Sequence, residues 1–173
     1  MIDDSYVMEI ARNYHSGQVD KSGVDYIEHP MAVYKLVQNV PSYSKLGIAQ
    51  RRDARWAALL HDVLEDCPDV SQSDLEALGI PDSVISVVVL LSRNLSKECY
   101  YSKISDSAVA RVVKLADGLH NSLYERLVLL ERSVGIRLRG KYLKGARELT
   151  VGHSDDFAWF VRESSPPELG WNG

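Results

Sequence analysis

The chain has 173 residues, long enough for one domain with a sizeable core, and its 45% apolar and 25% charged content is ordinary for a water-soluble globular protein. A formal net charge of −4 argues against a broad nucleic-acid footprint. No apolar run approaches the roughly 18 residues a membrane span needs. The N-terminal MIDDSYVMEI is acidic and has no signal-peptide pattern. The expectations are a cytoplasmic location and no nucleic-acid or membrane partner. Cys67 and Cys99 have no metal-finger or CxxC spacing and read as free thiols in a reducing compartment. A small anionic substrate stays open, because a bound metal can supply local positive charge.

Apolar spacing along the chain is mostly helical. Residues 3–15 place Val7, Ile10, Ala11 and Tyr14 on one face, with Asp3 or Ser5 as the cap. SGQVDKSGVDY (16–26) holds two glycines and reads as a loop. Pro30 suits the first turn of a second helix that stops before Pro41, and PSYSKLGI then connects to a helix over 49–66. Ser71 or Ser73 caps a short helix ended by Gly79. PDSVISVVVLLSR (81–93) is rich in β-branched residues, which favours a strand. Its length and the Pro81 start favour a buried helix, and that is the expectation. A short irregular helix over KECYYSKISD, a helix over 107–122, and two segments, YERLVLLERSV and IRLRGKYLKGARELT, follow. GHSDDFAWFV reads as a surface helix packing Phe157 and Phe160, away from any site. The result is an all-α chain with one domain over 1–162 and a loosely ordered tail over 163–173.

Ionisable residues interrupt this apolar pattern at a few places. His29 precedes a helix, His61 and Asp62 end another in WAALLHDVLED, and Asp117 lies within VVKLADGLHN. Burying such groups without partners is costly. Imidazole and carboxylate together suit a divalent ion such as Mn2+, Fe2+ or Zn2+. Each residue also has an ordinary structural reading. A lone histidine beside an apolar helix is more often part of the core or surface. Asp117 is placed to pair with Lys114. Glu65 and Asp66 also fit a solvated helix end, although acids at a helix C-terminus oppose its dipole. Only the combination favours a metal.

Three blocks, ARNYHSGQVDKSGVDYIEHPMAV (11–33), AALLHDVLEDC (57–67) and VVKLADGLHN (112–121), together resemble the HD superfamily of metal-dependent phosphohydrolases. Within it they are similar to the hydrolase domain of the RelA/SpoT alarmone enzymes of the stringent response. The single-domain length resembles a small alarmone hydrolase. The resemblance implies a helical HD-domain bundle that removes the 3′-pyrophosphate of (p)ppGpp. It implies His29, His61, Asp62 and Asp117 as ligands of Mn2+ or another divalent transition metal, and Glu65 and Asp66 as the acids that activate and orient the attacking water. Lys21, Ser22 and Asn121 match positions that contact nucleotide or phosphate, and Tyr26 matches a tyrosine near the first ligand. Two positions depart from the pattern. Asp20 stands where an arginine is common, and Gly118 stands where the long enzymes carry an arginine. An acid at 20 disfavours a nearby polyphosphate or points away from it.

The expected function is therefore hydrolysis of (p)ppGpp, with a small-molecule nucleotide as the only partner and a monomer or small homo-oligomer as the assembly. An HD-type 5′-deoxynucleotidase, or a phosphatase of another nucleotide such as NADPH, is the alternative. A catalytically silent helical binding protein is the second, and the presence of Glu65 and Asp66 argues against it.

Overall fold

Asp3 opens the first helix, its carboxylate accepting a 3.0 Å hydrogen bond from the Tyr6 amide. A computed structural model of the chain describes residues 2–21, 23–92 and 97–165. Helix α1 (Asp4–Tyr14) buries Val7, Ile10 and Ala11, as its spacing predicts. Then come α2 (Glu28–Val37), a 3-10 turn η1 (Pro41–Lys45), α3 (Ile48–Leu60), α4 (Val63–Asp66), α5 (Gln72–Ala77) and α6 (Asp82–Leu91). The chain continues with α7 (Lys97–Asp106), α8 (Ala108–Ser122), α9 (Tyr124–Leu127), α10 (Arg132–Leu149) and α11 (Ser154–Glu163). Among the described residues the only β pairing is an isolated bridge between Val19 and Asp25. The chain is all-α, as expected, and no helix among the described residues is long and apolar enough to cross a membrane.

Three helices, α2, α3 and α8, pack on one another and form the centre. Ala54, Ala57 and Ala58 of α3 are fully buried, and their small side chains let neighbouring helices approach closely. Leu59 and Leu60 of α3 and Val112, Val113, Leu115, Ala116 and Leu119 of α8 are equally sealed from water. Helix α6 is helical despite four valines and an isoleucine. Val84, Ile85, Val87, Val88 and Leu91 all enter the core, and that burial outweighs the weak strand preference of β-branched residues. On the other side α10 packs across α7 and α8, and α11 closes against η1, α8 and α10.

Two expected elements are divided. The helix expected over 49–66 stops at Leu60, and α4 restarts after His61 and Asp62. The His61 ring turns back to hydrogen-bond the Ala58 carbonyl at 2.9 Å. The Asp62 carbonyl then accepts both the Glu65 and Asp66 amides, at 3.0 and 2.8 Å, which starts the next turn. The YERLVLLERSV segment likewise forms the single turn α9, and α10 starts only at Arg132. The loop after α1 turns at Gly17 and Gly23, whose φ angles of 76° and 80° are open to glycine at little cost. Cys67 is a buried free thiol. Ser22, the side chain of Cys99 and the tail from residue 166 onward lie outside the described residues.

Candidate active site

Four of the sequence-selected residues meet where α2, α3, α4 and α8 converge. His29 enters from α2, His61 from the end of α3, Asp62 from the turn before α4, and Asp117 from α8. The ligand atoms of His29, His61 and Asp117 lie within 4.8 Å of one another, and all three residues are buried. The Nε2 atoms of His29 and His61 are 3.2 Å apart. Asp117 Oδ1 is 3.3 Å from the His29 Nε2 and 3.8 Å from that of His61. Asp62 Oδ2 sits 3.0 Å from His61 Nε2 and 3.4 Å from His29 Nε2.

This donor set fits a divalent cation. His61 gives its Nδ1 proton to the Ala58 carbonyl, so its Nε2 presents a lone pair to the cluster. Two carboxylates and two imidazoles crowd one small volume. The charge balance responds accordingly. Burial alone would push the His29 imidazole down, but the Asp117 and Asp62 carboxylates outweigh it and lift its pKa to about 9. Burial likewise opposes ionisation of Asp117, yet Lys114 and the two histidines hold its carboxyl well below the usual range. The surroundings therefore favour positive charge at the point where the four side chains meet.

His120 belongs to the same cluster, and the sequence did not single it out. Its Nδ1 lies 2.7 Å from His29 Nδ1, and the two rings stack with centroids 4.9 Å apart. Only one of these nitrogens can carry the shared proton. Burial, then the neighbouring His29 and Arg126, lower the His120 pKa to about 3 and keep that ring neutral. Donation from His29 Nδ1–H to His120 orients the His29 ring and turns its Nε2 toward the two carboxylates, the arrangement expected behind a metal-binding histidine. Replacing His120 by leucine is expected to weaken Mn2+ binding about 10–100-fold, as loss of such a supporting partner typically does. Metal titration followed by calorimetry would show it, and an unchanged affinity would remove His120 from the site.

Asp117 pairs with Lys114 and still faces the two histidines. Its Oδ2 accepts from Lys114 Nζ at 2.8 Å, its Oδ1 accepts from Asn121 Nδ2 at 2.5 Å, and Oδ1 also faces the histidines. Lys114 is half-buried and stays charged because Asp117 offsets its desolvation. Tyr26 does more than pack. Its hydroxyl is 2.7 Å from both Asp62 Oδ2 and Asp66 Oδ2, although its single proton can serve only one at a time.

A cleft of about 490 Å3 opens over the cluster. Lys21, Glu65, Asp66, Lys114, Asn121 and Arg126 line its polar part. Glu65 and Asp66 are exposed rather than buried, because the bend at Asp62 carries α4 out to the cleft wall. Asp20 also lines the cleft, but its charge is balanced: Arg126 Nη2 is 3.0 Å from its Oδ2. At Gly118 a Cβ would stand in ordinary van der Waals contact with the Phe160 ring, 3.5 Å away. Helix α11 thus reaches the cleft wall through Phe160, which corrects the expectation that it lies apart from the site.

No family model matches the chain. In sequence it is 44% identical over 73 residues to a guanosine-3′,5′-bis(diphosphate) 3′-pyrophosphohydrolase of Vibrio cholerae, which covers 42% of this chain and 9% of that protein. It is 35% identical over 124 residues to the bifunctional (p)ppGpp synthase/hydrolase SpoT of Escherichia coli, covering 65% of this chain and 16% of that protein. The chain therefore spans less than a fifth of the length of these relatives. In fold it matches a metazoan ortholog of SpoT that hydrolyzes ppGpp, with a TM-score of 0.62 at 21% identity over 92% of this chain and 94% of the other. The resemblance drawn from the three sequence blocks holds: the chain is a helical domain similar in sequence to guanosine-3′,5′-bis(diphosphate) 3′-pyrophosphohydrolases and in fold to a metazoan SpoT ortholog.

Proposed function

We propose that the chain hydrolyses the 3′-pyrophosphate of (p)ppGpp, giving GDP or GTP and pyrophosphate, with Mn2+ as the metal. The observation that carries this reading is the convergence of His29, Asp62 and Asp117 at a cleft, with His61 directly behind them and with lysines, an arginine and the acids Glu65 and Asp66 on the wall. A divalent ion at these four residues supplies positive charge to a phosphoryl oxygen and lowers the pKa of water toward neutrality. Mn2+ accepts this mix of imidazole and carboxylate. The chain's own groups do the rest. Lys21 and Lys114 offer point charges to phosphate oxygens, and Asn121 a donor. Glu65 and Asp66, one turn beyond Asp62, orient the attacking water, and one of them takes its proton. The water oxygen bonds to the phosphorus that carries O3′, the P–O3′ bond breaks, and O3′ takes up a proton. The same reading makes the chain a cytoplasmic enzyme, monomeric or a small homo-oligomer, whose partner is a small nucleotide.

The test is incubation with Mn2+ and a panel of ppGpp, pppGpp, deoxynucleoside monophosphates and NADPH, with EDTA controls and ion-exchange resolution of products. EDTA-sensitive release of pyrophosphate and GDP from ppGpp is the expected result. Phosphate release from a monophosphate or NADPH, with ppGpp untouched, would transfer the chemistry to another nucleotide.

A further inference from the structure

The ion pair between Asp20 and Arg126 joins two parts of the chain that are remote in sequence. Asp20 sits in the loop between α1 and α2, where its carboxylate also accepts from the Val24 amide at 3.1 Å. Arg126 sits on α9, just beyond the site helix α8. Both line the cleft. The side chains at the cleft floor are nearly sealed: 5% exposed at His29 and 8% at Asp117. Arg126 is 28% exposed, so it stands nearer the mouth. An ion pair in that position contributes little to stability, because water and salt screen it and both side chains pay entropy to hold it. Its use is better sought in the cleft. A guanidinium has five N–H donors in a rigid fork that matches phosphate. One contact to Asp20 leaves most of that fork to a ligand.

We propose that Arg126 is a substrate-binding residue that grips the 5′-diphosphate of the nucleotide, and so selects substrates phosphorylated at both ends of the ribose. This rests on the alarmone reading for which end of the nucleotide lies at the floor. If the 3′-pyrophosphate occupies the buried cluster, the other strongly anionic group is the 5′-diphosphate. The ribose holds the two apart, and the 5′ group then faces the more exposed wall. Arg126 is a cation on that wall held in place by Asp20, with the planar fork that a diphosphate matches. The nucleobase is neutral and gives a guanidinium less to attract.

Calorimetric titration in EDTA, where no metal-dependent turnover intervenes, tests this with two probes. GDP carries the 5′-diphosphate alone, and guanosine 3′-diphosphate lacks 5′ phosphates. Arg126→Ala is expected to weaken GDP binding about tenfold and guanosine 3′-diphosphate no more than about twofold. Arg126→Lys should recover part of the loss, since it restores the charge without the fork. Equal weakening of both probes, no weakening of either, or no GDP binding by the native protein would each overturn the assignment. GDP binding does not depend on hydrolysis. Failure of the alarmone reading would instead appear as absent ppGpp turnover with Mn2+ in the native protein.

Discussion

Replacing Asp62 or His61 by alanine will lower turnover at least about a thousandfold while leaving a folded helical chain. Metal polarisation of a phosphoryl oxygen is worth several kcal/mol of barrier, and each 1.36 kcal/mol is about a factor of ten in rate. Asp62 Oδ2 stands within 3.4 Å of both imidazoles, so its loss opens one side of the cluster. His61 Nε2 is held in position by the Nδ1 bond to Ala58, and alanine removes both the ligand and its anchor. The fold should survive for different reasons in the two variants. Asp62 is partly exposed and Tyr26 keeps Asp66 as a partner, whereas His61 is ringed by α2 and α8 contacts that do not depend on its side chain. Steady-state rates with Mn2+ beside far-ultraviolet circular dichroism check both halves of the statement. Near-normal activity in either variant would remove the cluster from catalysis.

That prediction uses residues legible in the sequence, and the reason they were legible is physical. His29, His61, Asp62 and Asp117 are polar groups set into helices whose remaining positions are core, so the apolar period itself marks them as misplaced unless something neutralises them. The helices were legible for the same reason, even the valine-rich α6, because length and burial decide where β-branching is ambiguous. What escaped depends on contacts the period cannot carry. Leu60, Val63 and Leu64 continue a helical spacing straight through the bend, and only the reach of the His61 ring to Ala58 reveals that the helix divides there. That bend carries Glu65 and Asp66 to the cleft wall. His120 follows Asp117 by one turn on α8, which puts it on the same face, but nothing local distinguishes a supporting histidine from a core one. Arg126 and Phe160 gain meaning only from Asp20 and Gly118, partners that tertiary packing supplies. The acid at 20 was read as an obstacle to a polyphosphate. With its own cation beside it, it adds no net negative charge to that wall.

The second large effect belongs to Glu65. Glu65→Gln is expected to lower kcat about 10²–10⁴-fold, the usual contribution of a positioned general base, with KM changed only a few-fold. The two acids of α4 are not equivalent. Asp66 is tied to the Tyr26 hydroxyl at 2.7 Å, and that hydroxyl also touches Asp62, so Asp66 is suited to holding the wall of the site in register. Glu65 lines the cleft one turn beyond Asp62, on a side chain one methylene longer than that of Asp66. Glutamine preserves its size and can still orient a water molecule, but it cannot take a proton. Loss confined to kcat therefore separates proton removal from substrate binding, and single-turnover rates show whether the chemical step itself has slowed. An unchanged kcat with a raised KM would reassign Glu65 to binding and leave the proton to Asp66, in which case Asp66→Asn should carry the rate loss instead.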